Sequence, residues 1–77
     1  MPTLKKVDGF RLFFFSNEHL PKHVHIEKGE IFVTIDLETM KIRESYNVSL
    51  KELRKVVEII QKYREEFLRS WDEYFGA

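Results

Sequence analysis

Apolar and polar residues alternate along the first half of the chain, and the period then changes to that of a helix. Ile31, Val33, Ile35 and Leu37 alternate with Phe32, Thr34 and Asp36, the period of two expected of a strand with one buried face. His23–Lys28 repeats the pattern, with Val24 and Ile26 facing one way. Upstream, Thr3–Val7 and Phe10–Ser16 flank Asp8-Gly9, a strong two-residue hairpin signal because a type I′ turn needs positive φ. Asn17–Lys22 is a polar loop closed by Pro21, and Gly29 marks the next turn. Residues 38–48 leave two readings open, since Met40 and Ile42 fit either a short extra strand or a packed loop.

The second half is a helix. Ser49 followed by Glu52 is a capping box. At 100° per residue, Leu50, Leu53, Val56, Ile60, Phe67 and Trp71 fall in one half of the wheel, while Lys51, Arg54, Lys62, Glu66 and Glu73 fill the other. Gly76 is a natural stop. Arg64 stands out because its angle places it among the apolar positions. Either its stem packs and its head reaches solvent or a carboxylate, or its guanidinium is held under a site. A helix from Leu50 to Phe75 is about 39 Å long, whereas a six-residue strand spans roughly 20 Å. The aromatics Phe67, Trp71, Tyr74 and Phe75 therefore fold back, wrap a sheet edge or meet another chain, and ordinary core competes with a dimer interface.

The predicted fold is α+β, one domain over 1–77. An antiparallel β-meander of three to four strands (3–37) precedes one long C-terminal amphipathic helix (49–75).

Composition refines this picture only in part. The chain has 77 residues and is 43% hydrophobic, with seven Phe, three Tyr and one Trp, enough for a core. It has no Cys, which removes disulfides and thiolate zinc sites. Thirteen basic and thirteen acidic residues cancel, seven of each in 1–48 and six of each in 49–77. Charge therefore gives no indication of a nucleic-acid surface. No apolar run approaches the ~18 residues of a membrane span, and no signal-peptide pattern opens the chain, so a cytoplasmic location away from membranes is expected.

The candidate chemistry is concentrated in Ser16–His25, S-N-E-H-L-P-K-H-V-H, which holds all three histidines. On a strand, His23 and His25 share a face opposite Val24 and Ile26. A turn at Gly29-Glu30 pairs His25 with Thr34 and His23 with Asp36, whereas a turn at Lys28-Gly29 changes these partners but not the faces. A carboxylate beside an imidazole raises its pKa and fixes its tautomer, which suits a general base or a metal ligand. Three readings compete. The histidines are polar residues on a solvent-facing strand. Alternatively, His23, His25, Asp36, Arg11 and Glu18 form an acid–base set able to cleave a phosphodiester without metal. Or His23 and His25 bind a divalent transition metal, with His19, Asp36 or water completing the four ligands that zinc prefers. Nothing in the sequence requires a cofactor. Phe13 and Phe15 share that face with Arg11, and so aromatic a surface suggests a contact site or groove.

The string F-R-L-F-F-F-S-N-E-H-L-P-K-H-V-H-I-E-K-G-E, Phe10–Glu30, resembles the hallmark of domain-of-unknown-function family 4160, small single-domain prokaryotic proteins. Met1-Pro2-Thr3, Gly9, Ser49-Leu50-Lys51-Glu52-Leu53 and Trp71-Asp72-Glu73-Tyr74-Phe75-Gly76 fit the same pattern. The resemblance implies that Ser16, Asn17, Glu18, His23 and His25 are signature positions. Many members carry Pro-Pro before His-x-His, where this chain has Pro21-Lys22, and His19 falls where the family varies. No activity carries over. Such genes often sit beside another small gene in what looks like a toxin–antitoxin pair, which implies a cognate small protein as partner and leaves an RNA target open. The leading expectation is therefore a toxin–antitoxin-like component using the His23/His25 surface, with self-association through Phe67–Phe75. A small metal-binding enzyme or sensor is the alternative, and a structural adaptor without catalysis the third.

Overall fold

The structure, a computed structural model, describes residues 3–76. Met1, Pro2 and Ala77, the ends of the predicted domain, lie outside them. Five antiparallel strands follow one another across a single sheet in chain order: β1 (Thr3–Val7), β2 (Phe10–Phe13), β3 (His23–Lys28), β4 (Ile31–Asp36) and β5 (Ile42–Tyr46). The helix α1 (Leu50–Phe75) packs on one face. Asp8 and Gly9 take positive φ, 51° and 83°, as the first hairpin requires. The β3–β4 register follows the predicted turn, with His23 opposite Asp36, His25 opposite Thr34 and Lys28 opposite Ile31.

Two elements differ from the sequence reading. β2 ends at Phe13 rather than Ser16, because Phe14 leaves the ladder to pack edge-on against Trp71, ring centroids 5.2 Å apart. Residues 38–48, where strand and loop were both open, form β5, so the meander has five strands rather than three or four. The pairing of β4 with β5 contains an irregularity. Thr34 faces Glu44 but Ile35 faces Ile42, so Arg43 is the extra residue of a bulge. Ile42 and Glu44, two positions apart, consequently oppose neighbours that point to different faces. That shift hides the strand from a period-two search.

The helix begins and ends where its sequence signals lie. The Ser49 hydroxyl accepts from the Glu52 N–H, and the Glu52 carboxylate accepts from the Ser49 N–H. The bond from the Ser49 N–H, and then one from the Ser49 hydroxyl to the same carboxylate oxygen, lower the Glu52 pKa from its usual value. Gly76 ends the helix at φ 77°. Val56, Ile59, Ile60, Phe67 and Trp71 are buried against Leu12, Val24, Ile26, Val33 and Ile35. The helix does outrun the sheet, and the connection from β2 to β3 fills the difference. Phe14 packs on both Trp71 and Phe75, and the Lys22 ammonium meets Asp72 at 2.8 Å. Phe67 and Trp71 are thus ordinary core, while Tyr74 is half exposed. Arg64 is neither free nor paired across the fold with a carboxylate. Its guanidinium donates to the carbonyl oxygens of Leu37 and Glu38, joining the helix to the β4–β5 turn, and otherwise touches its neighbour Glu65. Among the described residues, no helix is long and apolar enough to cross a membrane.

Candidate metal centre

The sheet face turned away from α1 is not open to solvent. His23 and His25 are only 6% and 5% exposed, which overturns the reading of polar residues on a solvent-facing strand. Phe13 is buried as well, and Phe15 is partly covered. The cover is the connection of residues 14–22, pinned at its end by the Leu37 N–H to Lys22 carbonyl bond of 2.8 Å. The Leu20–Pro21 peptide within it is cis. His25 sits in an aromatic cage. Phe15 is 4.4 Å away, Phe13 5.5 Å and Phe32 5.7 Å, centroid to centroid. His23 meets His25 edge-on at 5.1 Å and the Trp71 ring at 5.3 Å.

Glu18 reaches back from the loop into this cage. Its Oε2 lies 2.7 Å from His25 Nε2 and 3.1 Å from His23 Nε2, with its side chain 8% exposed. The Phe15 N–H donates to the same oxygen at 3.3 Å, which holds the loop in the shape that delivers the carboxylate. One ligand-type atom from each of Glu18, His23 and His25 lies within 4.8 Å of the others.

The far side of each imidazole decides what faces Glu18. His23 Nδ1 is 2.7 Å from the Pro21 carbonyl oxygen, which can only accept, so Nδ1 carries a hydrogen. His25 Nδ1 is 2.9 Å from Thr34 Oγ1. With the Thr34 hydroxyl hydrogen given to Glu44 Oε1, at 3.3 Å, Thr34 Oγ1 accepts from His25 Nδ1–H. In that arrangement both rings turn Nε2 to the Glu18 carboxylate oxygen. Burial, the largest influence, pushes the His25 pKa below its usual value against the raising effect of Glu18, which favours the neutral ring. Two imidazole nitrogens and a carboxylate oxygen thus converge in a buried place, where acceptors without a partner are costly.

The other predicted site residues lie around this centre. Asp36 is opposite His23 in register, yet its Oδ1 accepts from the Glu38 and Thr39 N–H groups and shapes the β4–β5 turn. Burial alone would raise its pKa, but these two bonds, the Thr39 hydroxyl and the Arg43 charge together bring it below normal. Arg11 shares the histidine face, stacks on Phe13 at 4.2 Å and pairs with Glu27 at 2.9 Å. His19 is exposed and lines a cleft of about 440 Å³ with Glu18, Leu20, Lys22, Trp71 and Phe75. The histidines' immediate carboxylate is thus Glu18 rather than Asp36. Glu44, which sequence reasoning missed, completes the arrangement. Its only signal was its position in a segment of ambiguous structure.

The family model described as Domain of unknown function (DUF4160) matches residues 9–72. The chain belongs to that family. No curated protein and no solved structure matches it. The DUF4160 match covers β2 through most of α1 and includes all three groups of the centre.

Proposed function

We propose that this domain binds a divalent transition-metal ion through His23 Nε2, His25 Nε2 and the Glu18 carboxylate. The observation that carries this reading is the convergence of both Nε2 atoms on one Glu18 oxygen, with each Nδ1 held by a second partner, the Pro21 carbonyl or the Thr34 hydroxyl. Metal-binding histidines have this build, with the second ring N–H donated to a carbonyl or polar side chain. A single proton between the three atoms neutralises one lone pair and leaves the other facing an anion. A divalent cation satisfies all three. Two histidines and a carboxylate suit zinc or ferrous iron, and three protein groups leave room for water or a ligand, as in catalytic rather than structural centres. The cleft that Glu18 shares with His19, Trp71 and Phe75 is the approach for such a ligand.

Titration calorimetry of chelator-stripped protein with Zn²⁺, Fe²⁺ under argon, and Mn²⁺ tests this. The expected result is one ion per chain for at least one metal, lost in Glu18→Gln and in His23→Asn. Wild-type protein that binds none of the three would refute it.

A second reading, a toxin–antitoxin-like component that binds a cognate small protein, draws support from β5. That edge strand is exposed along its length and carries Ile42 and Tyr46 beside an apolar groove formed with Leu50, Leu53 and Val57. Growth arrest on expression, relieved by the adjacent gene, is the expected sign. Its absence, together with no co-purification of the two products, would count against this reading.

A further inference from the structure

We infer that Thr34 and Glu44 are positioning residues that set which nitrogen of His25 is free. The inference rests on the metal-binding reading of Glu18, His23 and His25. The three residues form a chain across three strands, His25 on β3, Thr34 opposite it on β4, and Glu44 opposite Thr34 on β5. The proposed hydrogens run one way along it, from His25 Nδ1 to Thr34 and from Thr34 to Glu44. The Glu44 carboxylate accepts the Thr34 hydroxyl hydrogen at 3.3 Å. Thr34 Oγ1 then has only lone pairs to offer His25 Nδ1 at 2.9 Å, and this holds the hydrogen on Nδ1. Nε2 is left bare toward Glu18 at 2.7 Å.

Geometry supports a dedicated arrangement. Thr34 is 2% exposed, so no solvent competes for its hydroxyl in bulk fashion. Glu44 faces Thr34 because the irregularity at Thr34/Ile35 absorbs Arg43 and resets the pairing. Bulges that re-aim a side chain next to a site are a known use of the extra residue. His23 supplies an internal control. Its Nδ1 is held by a backbone carbonyl, that of Pro21, which no side-chain substitution on β4 or β5 removes.

The test uses the full chain, in two arms. Long-range ¹⁵N–¹H NMR of metal-free protein reads the tautomer of each histidine, and chelator competition reads Zn²⁺ affinity. In wild type both rings should carry Nδ1–H. In Thr34→Val, His25 should move to the Nε2–H form while His23 keeps its own, and Zn²⁺ affinity should fall roughly 10–100-fold. Thr34→Ser should restore both readings. Glu44→Gln, whose amide oxygen still accepts, should behave as wild type, and Glu44→Ala should populate both His25 tautomers. Glu44 is exposed, so its variants remain informative if Thr34→Val does not fold. An unchanged His25 tautomer in folded Thr34→Val, or in Glu44→Ala, overturns the inference. Wild type that binds no Zn²⁺ or other metal would instead defeat the metal reading, while the tautomer arm still decides the role of Thr34 and Glu44.

Discussion

The two faces of this sheet are buried to a similar degree by opposite means. Under α1 lie Val24, Ile26, Val33 and Ile35, which have nothing polar to satisfy. On the other face lie His23, His25 and Thr34, nearly as inaccessible, beneath a nine-residue connection and a ring of phenylalanines. The first face is stable because apolar area leaves water. The second stays folded only while each polar atom has a partner, since an unpaired buried group costs about 1–3 kcal/mol.

Substitutions should separate the two faces. The largest effect is expected on the helix-covered side. Ile60 is fully buried in the core, so Ile60→Ala should cost roughly 2–5 kcal/mol in urea denaturation. Lys62→Ala, two positions away on the exposed surface, should stay within about 0.5 kcal/mol. Equal midpoints for this pair would break the assignment of the core face. On the polar face, Glu18→Gln in metal-free protein should cost no more than about 0.5 kcal/mol, because the Gln amide N–H can donate to a bare Nε2 that the carboxylate, an acceptor only, cannot satisfy. The same change should abolish any rise in melting temperature with metal, a rise worth about 2.7 kcal/mol at a hundredfold excess over Kd. His23 and His25 lie off the Val24/Ile26 face, yet they are only 6% and 5% exposed. Their burial makes a measurable loss of stability the expected result of replacing both by Asn.

A smaller effect belongs to neither face. Ser49→Ala removes the helix cap and should cost about 1 kcal/mol, measurable as a shift in thermal midpoint. The pH dependence of the metal-free protein should again single out the polar face. His25 has a depressed folded pKa, so the unfolded chain takes up its proton first as pH falls. Its contribution is complete above the ordinary histidine value of about 6.5 and is lost as pH drops through the lower folded value. Asp36 and Glu52, both depressed, add a second loss at more acid pH, below the ordinary carboxylate range. Stability that rose on acidification from pH 7 to 5 would contradict the buried neutral ring.

The helix-covered face was largely legible in the sequence, and the polar face only in part. Period-two alternation in Ile31–Leu37 and the half-wheel stripe of α1 report burial against an apolar partner, because the partner's chemistry is the same on both sides. The β3–β4 register is one of the two that a turn at Gly29 allows. That His23 and His25 share a face was also legible. What covers them was not, since Asn17–Lys22 has the composition of an exposed loop and Glu18 reaches its partners only through the fold of that loop. Thr34 as a cross-strand neighbour was readable from register. Glu44 was not, because the bulge at Arg43 breaks the counting rule on which register depends. The overhang of α1 was anticipated from lengths alone, and Phe14 and Lys22 cover it from within the chain.

Arg64 bears on the order in which this molecule opens. Its guanidinium holds two carbonyls of the β4–β5 turn from the middle of α1, and Asp36 holds two amides of the same turn from inside the sheet. The turn is thus gripped from both layers. Amide hydrogens of Glu38 and Thr39 lie on an exposed stretch, where exchange in seconds would be ordinary. With both grips in place they should exchange only when helix and sheet part, at a rate near that of the slowest helix amides. Arg64→Met should free the turn to exchange on its own schedule and split one cooperative unit into two.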